Sequence, residues 1–576
     1  MPDLKAILDD CFAEFSQEYE IERVTYVSQS GKNTEVDVPV WRLVIQAEYH
    51  GKVTDVELFL AFPHGFPYEM SMVFIDDERF RYLPHISPSD RKVCLYEDGL
   101  AYNPDNIKGL LRDNIKKTRH WIELYSNRDN TDEYVKEIKN YWREQYDGES
   151  EIDDCPVLLG SKPEETCELS GIVYSKRDAE DGSSYVQPIL FRSEERLEIT
   201  YIKKYHKVIE IKALYLASIE IPNCPPYSMT GQNLIDSIAS SDDKAVFKQY
   251  INQYGKGYVF FPLGMEYAIG GVYIEKLNVN RKGFRSGTLK PFSVLTAFEN
   301  KTKLLDRLLT NVYDKHRLAE RTAGCLMEKR KFVVAGLGSV GSNLCYFLNG
   351  YNNAEFALVD GDRLSADNIG RHLLGFEYLN QRKSFAVANY LKSFRPDRNV
   401  NAYKKEIQQI SDAAINEAGI LFMCTGDIMS EKWLIHKMQS KEVDIPSFIM
   451  WLEPYGVSGV MIYVNPDDDE AVGRLQLAAE DNFMDLCLID RKEYETGDRL
   501  IQRDAGCNGN YAFYSANDVT LFLSGMFQHI DRLLNVPSET QIYQWVGNIE
   551  IAEQKGIKLV ERVGGLSKNQ LLRLPL

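Results

Sequence analysis

Apolar residues near the start of the chain recur with two periods, one helical and one strand-like. Over residues 4–15 the apolar positions have helical spacing, which predicts a helix with Cys11 on its buried face. The segments WRLVIQAEYHG, TDVELFLAFP and MSMVFID predict strands, and another helix is expected to begin near Pro104. Residues 1–150 are therefore predicted to form an α+β domain: a helix, antiparallel strands, a long turn that contains Cys94, and further helices.

The middle of the chain has a stronger strand pattern. The segments SYVQPILF, LEITYI, KVIEIKALYLASIEI and GYVFFPLGMEYAIGGVYIEKL all predict β-structure. Basic and turn-forming residues over 280–291 indicate a loop. Because this region has no motif that indicates chemistry, we predict a β-rich connecting domain over residues 151–300.

From about residue 300 onward, short apolar runs alternate with helical segments. The runs KFVVAG, EFALVD, AGILFMCTG and SFIMWLEP predict buried strands, and the alternation is typical of a doubly wound α/β sheet. We therefore predict a Rossmann-like domain over residues 301–576. The polar stretch 464–502 is expected to be a loop over the site, and ANDVTLFLSGMFQHIDRLL is expected to be an apolar helix.

Composition and charge argue against several classes of function. The 576 residues include 67 basic and 85 acidic side chains, and the net charge of -18 argues against a protein that mainly binds nucleic acid or a membrane surface. No apolar stretch approaches the roughly 18 residues of a membrane span, and the acidic N-terminus lacks a signal-peptide pattern. None of the ten cysteines forms a CxxC pair, so a structural zinc site is not expected. These features predict a cytoplasmic protein with free thiols.

A glycine-rich motif predicts a nucleotide site. In GLGSVG, the residues Gly336, Gly338 and Gly341 lie between a predicted strand and a predicted helix, where they allow a tight turn and a close backbone approach to phosphate. Asp360 ends the next strand, in a position to accept hydrogen bonds from a ribose. By itself this pattern fits an NAD-dependent oxidoreductase equally well.

The segment that follows is more specific. The stretch VDGDRLSADNIGRHLLGFEYLNQRKSFAV resembles the ubiquitin-activating, ThiF/MoeB-like adenylation fold. The resemblance implies an ATP site formed by Asp360, Asn368, Arg371 and Lys383, with the two cations near the phosphates. Cations suit this chemistry, because attack on the α-phosphate requires that developing charge be neutralised. Asp427, at the end of a later strand, resembles the Mg²⁺-associated aspartate of that fold.

The same fold family implies an arginine before the first strand that reaches the ATP of a partner subunit. Arg317 and Arg321 are the two candidates, although an ordinary helix-surface arginine explains either of them. Adenylation folds of this type pair with a second copy. The resemblance therefore also implies a homodimer centred on residues 300–576.

A second cysteine motif occurs in RDAGCNGNYAFYSANDV. Cys507 has small neighbours in a predicted loop, where another group can reach the thiol and backbone amides can help a thiolate or an oxyanion. Gly-Cys-Asn-Gly resembles the thioester-forming position of prokaryotic activating enzymes fused to conjugating domains, and a structural cysteine is the alternative. Cys345, Cys424 and Cys487 are predicted to be buried.

With a nucleotide site in the same chain, the N-terminal thiol becomes a candidate nucleophile. Residues 1–145 resemble the ubiquitin-conjugating fold: a first helix, a strand meander, Phe66-Pro67, a turn, and a cysteine followed by leucine. Val93-Cys94-Leu95 matches the family's Ile-Cys-Leu, and LPHI stands where the family has His-Pro-Asn-Ile. His85 therefore occupies the position of the family's asparagine. Its imidazole can donate to the oxyanion formed on the thioester, or it can only brace the turn.

Both resemblances occur in one chain, which is similar to bacterial proteins that fuse a conjugating domain to an activating domain. The resemblance is strongest to the CD-NTase-associated fusion enzymes of type II CBASS antiphage operons. It implies that ATP and Mg²⁺ are used to adenylate the C-terminal carboxylate of a partner protein, in that family a CD-NTase. Cys507 then forms a thioester, Cys94 takes over the acyl group, and an amine receives it as an amide, which primes antiphage signalling.

Three alternatives stay open at the level of sequence. A ubiquitin-like protein as donor keeps the same chemistry and predicts a donor that ends in glycine. A nucleotide-binding scaffold without catalysis predicts ATP binding with no release of pyrophosphate. An NAD-dependent oxidoreductase predicts nicotinamide binding, but it leaves Arg371, Lys383 and both cysteine motifs unexplained.

Overall fold

The computed structural model of the protein describes residues 4–97, 99–143, 157–177, 184–191, 207–220, 229–395, 397–497, 499–503, 510–536 and 538–576. Cys155, Cys224 and Cys507 lie outside these residues. The described chain divides into two compact units, one up to Asp314 and the other from Lys315 onward. No helix in the described ranges is long and apolar enough to cross a membrane.

The first unit begins with the predicted α+β arrangement. Its helices here are α1 (Leu4–Phe15), α2 (Ile107–Ser126), α3 (Thr131–Lys136) and α4 (Ile138–Arg143). One antiparallel sheet contains, in spatial order, β1 (Glu20–Gln29), β2 (Lys32–Tyr49), β3 (Lys52–Ala61), β4 (Met72–Phe74) and β5 (Lys92–Val93). The helical spacing over residues 4–15 is confirmed, and Cys11 is buried in the core that α1 shares with the sheet.

Helix α2 begins slightly later than the predicted start near Pro104. Asn106 caps it, because its Oδ1 accepts a hydrogen bond from the backbone N–H of Gly109 at 3.1 Å. The buried residues Leu111, Ile115 and Ile122 recur at helical spacing and join the same core as α1. The helix therefore covers the sheet from which the Cys94 turn extends.

The β-rich region completes the first unit. Its strands are β6 (Val157–Leu159), β7 (Cys167–Arg177), β8 (Ser184–Phe191), β9 (Lys207–Tyr215), β10 (Gly257–Pro262), β11 (Ile269–Ile274), β12 (Asp306–Leu308) and β13 (Thr310–Val312). They form a mixed sheet in the order β12-β11-β10-β9-β7-β8-β6-β13. Its helices are α5 (Gly231–Asp236), α6 (Ser241–Tyr254) and α7 (Pro291–Leu295), and the predicted basic loop leads from β11 to α7.

The second unit is built on a large sheet. Its strands are β14 (Arg330–Ala335), β15 (Ala354–Val359), β16 (Val400–Tyr403), β17 (Gly419–Met423), β18 (Ser447–Leu452), β19 (Ser458–Val464), β22 (Gln541–Val546) and β23 (Leu571–Leu574), with a separate pair, β20 (Ile501–Arg503) and β21 (Asn510–Ala512). The order is β16-β15-β14-β17-β18-β19-β22-β23. Neighbours from β16 to β18 are parallel, and the pairs from β18 to β23 are antiparallel.

Helices cover both faces of this sheet, as the doubly wound prediction requires. They are α8 (Lys315–Thr322), α9 (Ser339–Leu348), α10 (Lys383–Phe394), α11 (Asp412–Asn416), α12 (Ile428–Gln439), α13 (Asp469–Glu480), α14 (Arg491–Thr496), α15 (Ala516–Asn535) and α16 (Ile549–Gln554). One core contains buried residues of α9, α10 and α15, and the other contains buried residues of α12 and α13. Successive strand residues alternate between them, as Phe332 and Val333 do, because strand side chains point to opposite faces.

One sequence prediction for this unit was wrong. The stretch 464–502, predicted as a loop, contains helices α13 and α14. Asp468 caps α13 by accepting a hydrogen bond from the N–H of Ala471 at 3.2 Å, and Val472 and Leu475 are buried at helical spacing. The polar residues that suggested a loop occupy the other face of a surface helix. The predicted boundary at residues 150/151 lies outside the described residues, and the domain limits stay predictions.

Candidate functional site

The glycine-rich turn joins β14 to α9 at the carboxyl end of the sheet. Gly336 has a φ of 81°, and a Cβ there would lie 2.7 Å from the backbone nitrogen of Thr425. At Gly341, a Cβ would lie 1.9 Å from the carbonyl oxygen of Gly336. Backbone therefore packs directly on backbone at these two positions, which only glycine permits. By contrast, a Cβ at Gly338 would meet no described atom within 4 Å.

Asp360 follows β15 and holds this turn in place. Its Oδ2 accepts a hydrogen bond from the N–H of Leu337 at 2.7 Å, and its Oδ1 accepts one from the N–H of Asp362 at 2.8 Å. Burial raises the pKa of the Asp360 carboxyl group. Each oxygen retains a second lone pair, so the carboxylate can still accept a hydrogen bond from a ribose hydroxyl.

His372 is a site residue that the sequence analysis missed. Its Nε2 lies 2.9 Å from the carbonyl oxygen of Leu337, and its Nδ1 accepts a hydrogen bond from the N–H of Leu374 at 3.0 Å. Burial lowers the pKa of the imidazole to about 4. A neutral ring that accepts through Nδ1 donates through Nε2, so His372 holds the carbonyl side of the glycine turn. Its place directly after Arg371 in the motif was the available signal.

This histidine is expected to make the second unit sensitive to acid. An imidazole in the unfolded chain binds a proton near pH 6.5, whereas His372 in the folded protein stays neutral down to about pH 4. Between these values the unfolded state binds more protons, so this group lowers the free energy of unfolding by about 3 kcal/mol as the pH falls. We expect His372→Gln to remove this part of the pH dependence, measured by urea denaturation followed through hydrogen exchange.

The matched control is His436→Gln. His436 is exposed on α12, so His436→Gln should not remove the acid sensitivity assigned to His372. Equal slopes of unfolding free energy against pH in wild type and His372→Gln would show that His372 is not the acid-sensitive group.

Lys383 begins α10 among several carboxylates. Its Nζ donates to the Oδ2 of Asp362 at 3.1 Å, and its side chain is 9% exposed. Burial, and then the charges of Asp360, Asp362 and Asp427, raise the pKa of the Glu406 carboxyl group. The structure thus brings three predicted residues, Asp360, Lys383 and Asp427, into one electrostatic neighbourhood. Glu406 and Asp362 were not predicted, because their part in this neighbourhood comes from packing rather than from the motif.

Asp427 caps α12 at the carboxyl end of β17. Its Oδ2 accepts hydrogen bonds from the N–H and the hydroxyl of Ser430 at 3.1 and 2.7 Å, and its Oδ1 accepts one from the N–H of Met429 at 3.4 Å. The residue is nevertheless exposed. Its oxygens can therefore face a bound ligand while the helix N-terminus holds the carboxylate in place.

Arg371 lies against the last residue of β21 and the residues just after it. Its Nη1 donates to the carbonyl oxygen of Ala512, and its guanidinium carbon lies 4.7 Å from the centre of the Tyr514 ring. The hydroxyl of Tyr514 is 2.7 Å from that of Ser339, the first residue of α9. These contacts bring Arg371 close to the N-terminus of α9, where backbone N–H groups favour an anion.

The described hydrogen bonds of Asn368 are with nearby residues of the same turn. Its Oδ1 accepts a hydrogen bond from the N–H of Ser365 at 3.2 Å. Its carbonyl oxygen accepts hydrogen bonds from the N–H groups of Arg371 and His372 at 3.1 and 2.9 Å. Asn368 therefore shapes the turn that presents both of these side chains.

Cys507 lies outside the described residues, so its predicted role is not tested. The strands on either side of it, β20 and β21, pair with Arg503 opposite Asn510. The other candidates for a long-range role, Arg317 and Arg321, lie on α8 ahead of β14, and Arg321 is exposed. Their predicted reach to a partner subunit stays a prediction. Cys345, Cys424 and Cys487 are buried, as predicted.

In the first unit, Cys94 follows the short strand β5 and is exposed. Its backbone N–H donates to the carbonyl oxygen of His85 at 2.7 Å, and the N–H of Ser87 donates to that of Lys92 at 2.9 Å. These bonds close a tight loop that ends at the cysteine. The neighbouring Val93 is buried in the core, so the backbone is held while the thiol faces solvent.

His85 is held on three sides. Its backbone N–H donates to the hydroxyl of Tyr141 at 3.2 Å. Its ring Nδ1 lies 3.1 Å from the Oε1 of Glu137, and its Nε2 lies 3.7 Å from the Oε2 of Glu133. The hydrogen bond with Glu137 raises the pKa of the imidazole. The preceding carbonyl, that of Pro84, accepts a hydrogen bond from the Trp121 indole at 2.7 Å, which anchors the turn.

A pocket of about 480 Å³ opens beside the thiol. The turn contributes one side of it, including His85, Lys92 and Cys94. Helix α4 and the residue before it contribute the other side: Glu137, Asn140, Tyr141 and Arg143. Side chains of both charge signs line the pocket, so it can receive a polar group that approaches an acyl group on Cys94.

The comparisons with known families agree with these two sites. Residues 25–149 match prokaryotic E2 family B, and residues 324–492 match the ThiF family. The first match contains Cys94, and the second contains the glycine-rich turn together with Arg371, Lys383 and Asp427.

Two curated proteins are similar to part of the chain. The ATP-dependent ubiquitin transferase-like protein Cap2 of Pseudomonas aeruginosa (strain BWHPSA011 / Pa011) is 29% identical over 133 residues, which are 22% of this chain and 23% of that protein. The protein of the same name from Enterobacter hormaechei subsp. hoffmannii (strain UCI 50) is 25% identical over 104 residues, 18% of this chain and 17% of that protein. The matches thus span less than a quarter of these relatives.

Solved structures of PaaA and of E. coli MccB are also similar to part of the chain. PaaA is 13% identical over 38% of this chain and 69% of its own, with a TM-score of 0.28. MccB with MccA-N7isoASN is 12% identical over 40% of this chain and 63% of its own, with a TM-score of 0.26. These TM-scores are too low to support an inference about this chain.

Proposed function

The chain joins a prokaryotic E2 family B domain to a ThiF-family domain, and from this premise we propose that it is an ATP-dependent activating and conjugating enzyme. It activates the C-terminal carboxylate of a partner protein and transfers the acyl group to an amine. The observation that carries the proposal is the presence, in one chain, of an exposed Cys94 on a braced turn and of a glycine turn flanked by Arg371 and Lys383.

Activation begins at the glycine-rich turn. A carboxylate oxygen of the partner attacks the α-phosphorus of ATP, a new oxygen–phosphorus bond forms, and the bond to the leaving pyrophosphate breaks. Gly336 and Gly338 let the backbone approach the phosphates, and Asp360 accepts a hydrogen bond from the ribose. Arg371 and Lys383 neutralise charge that develops on the phosphate oxygens.

Asp427 is the carboxylate at this site that would suit a magnesium ion. Asp427 is exposed, and burial, together with the charges of Asp360, Asp362 and Asp427, raises the pKa of the neighbouring Glu406 carboxyl group. Oxygen donors of this kind are those that Mg²⁺ prefers, and Asp427 would hold the ion. When bound, Mg²⁺ neutralises charge on the phosphate oxygens of ATP.

The activated acyl group then moves along two thiols. The Cys507 sulfur attacks the acyl carbon, and AMP leaves with the bonding electrons. The Cys94 sulfur next attacks this thioester and releases Cys507 as a thiolate. An amine finally attacks the Cys94 thioester, a carbon–nitrogen bond forms, and Cys94 leaves as a thiolate that takes up the proton lost by the amine. Each thioester keeps enough acyl-transfer potential for the next step, which explains the use of two thiols.

The donor that the family resemblance favours is a CD-NTase, whose conjugation primes antiphage signalling. The relatives in Pseudomonas and Enterobacter are named ubiquitin transferase-like, which supports a protein donor. The acceptor is an amine on a protein or a small molecule. The proposal includes a homodimer through the second unit and a cytoplasmic location, with no role for nucleic acid or a membrane.

The test of this function uses the full chain with ATP, Mg²⁺ and lysate from its own host. Protein adducts are separated on gels with and without reductant, and the donor is identified by mass spectrometry of the linked peptide. We expect an ATP-dependent adduct that is lost on reduction and in Cys507→Ala. A scaffold without catalysis would bind ATP but release no pyrophosphate. A full set of ATP-dependent adducts in Cys507→Ala would overturn the role of Cys507.

Lys383→Ala is expected to slow the adenylation step. The substitution removes a buried cation from a site where negative charge develops, and losing one such group typically costs about a hundredfold or more in rate. ATP–pyrophosphate exchange in the presence of the donor measures the step directly. The control is Lys329→Ala, which removes an exposed lysine that pairs with Glu355 at 2.6 Å. Equal exchange rates in Lys383→Ala and wild type would exclude Lys383 from the site.

A further inference from the structure

The conjugating step needs a hydrogen-bond donor beside Cys94, and His85 is poorly placed to be that donor. An amine that attacks a thioester turns the carbonyl oxygen into an oxyanion, which a positioned N–H group stabilises. Both ring nitrogens of His85 face carboxylates, at 3.1 Å for Glu137 and 3.7 Å for Glu133. The ring is held through Nδ1, where it braces the turn, and its Nε2 lies toward a second carboxylate, beyond hydrogen-bond distance.

The side-chain amide of Asn140 lies in the pocket beside Cys94. Asn140 comes from α4 and lines the cavity with Cys94. Asn140 is exposed, and among the described residues its side chain has no hydrogen-bond partner, in contrast to the hydroxyl of Tyr141, which accepts from His85. Its NH₂ group is therefore available to a molecule that enters the pocket. A neutral amide is also suited to this role, since it donates without giving up its proton.

The second sheet of the first unit holds α4 in this position. Buried Arg307 donates to the carbonyl oxygens of Tyr141 and Trp142 at 3.3 and 3.0 Å, and its guanidinium carbon lies 5.4 Å from the centre of the Trp142 ring. The Trp142 indole donates to the carbonyl oxygen of Leu308 at 3.0 Å. Buried Trp142 also packs in the core of that sheet. The β-rich region thus fixes the helix that brings Asn140 to the pocket.

We infer that Asn140 is a catalytic residue of the conjugating step, where its side-chain amide donates to the oxyanion. The inference rests on the proposed function of Cys94. The amine nitrogen attacks the thioester carbon, a carbon–nitrogen bond forms, and the carbonyl electrons move to the oxygen, to which Asn140 donates. The carbon–sulfur bond then breaks, Cys94 leaves as a thiolate, and the proton lost by the nitrogen passes through solvent to that thiolate.

The test bypasses ATP, so that activation and discharge are measured separately. The full-length Cys507→Ala chain is loaded with a fluorescent peptide thioester of mercaptoethanesulfonate, and mass spectrometry verifies that the peptide is on Cys94. Free lysine is then added, and the loss of the thioester is followed over time. We expect Asn140→Ala to load like the parent chain but to discharge about a hundredfold more slowly, as for other lost oxyanion donors. Asn140→Asp keeps the shape but not the donor, and is expected to be equally slow.

Two controls make the result specific. Asn33→Asp changes an exposed asparagine that is not part of the pocket, and it should discharge at the parent rate. Parental discharge in Asn140→Ala would overturn the inference, as would a loss of loading equal to the loss of discharge. If Lys92→Ala is slow and Asn140→Ala is not, the donor is Lys92 instead. Failure of the parent chain to discharge at all would overturn the proposed function of Cys94, and this inference with it.

Discussion

Replacement of Cys94 by serine is expected to abolish the amide product and to leave the ATP-dependent adduct on Cys507. A hydroxyl is a far weaker nucleophile than a thiol at neutral pH, and an oxygen ester passes its acyl group to an amine more slowly than a thioester does. The fold should not change, because Cys94 is exposed and its Sγ contacts the carbonyl oxygen of Tyr96 at 3.5 Å, a contact that a hydroxyl can also make. Gels with and without reductant measure both products.

The matched control for Cys94→Ser is Cys325→Ser. Cys325 is also free and exposed, but it lies in the second unit, outside the pocket of the conjugating domain. Cys325→Ser should form the amide product at the wild-type level. If Cys94→Ser still forms the amide, the acyl group passes directly from the first thiol to the amine, and Cys94 is not its carrier.

Gly341→Ala is expected to abolish ATP binding and to lower the free energy of unfolding of the second unit by about 3 kcal/mol. The added Cβ would lie 1.9 Å from the carbonyl oxygen of Gly336, so the backbone of the turn must move. Leu337, which Asp360 and His372 hold from two sides, moves with it. Calorimetric titration with ATP measures binding, and hydrogen exchange of peptides from β14 and α9 measures stability.

Gly338→Ala is expected to weaken ATP binding without changing the stability of the fold. A Cβ at Gly338 would meet no described atom within 4 Å, so the chain should keep its stability. ATP binding should nevertheless weaken, because phosphates approach this backbone closely. Gly473→Ala, in α13 with equally open surroundings, should leave ATP binding unchanged and raise stability by about 1 kcal/mol, because alanine favours a helix over glycine. Wild-type ATP affinity in Gly341→Ala would show that the nucleotide binds elsewhere.

Several elements could be predicted because their signals are local. The spacing of apolar residues over residues 4–15 is sufficient for α1, and the short apolar runs before Gly336 and Asp360 are sufficient for β14 and β15. The prediction for 464–502 failed because a surface helix that buries only Val472, Leu475 and a few small residues resembles a polar loop. Burial of one narrow stripe is a weak signal in a charged sequence.

The candidate sites likewise contain some residues that a local motif predicts and others that only packing brings together. A fixed spacing within a motif relates Gly336, Asp360 and Arg371, so a single segment of sequence predicts their meeting. Glu406 and Glu137 have no such spacing, and they reach Lys383 and His85 only because separate elements pack together.

By itself, the sequence determined the two kinds of domain, the glycine turn, the cations near it and the cysteine at the end of a turn. These features depend on residues that are close along the chain, where backbone geometry and side-chain periodicity set the outcome. Only the tertiary structure decided that carboxylates hold the ring of His85 and that Asn140 lies in the Cys94 pocket. The placement of Asn140 depends on α4, which Arg307 and Trp142 attach to a sheet formed by distant residues.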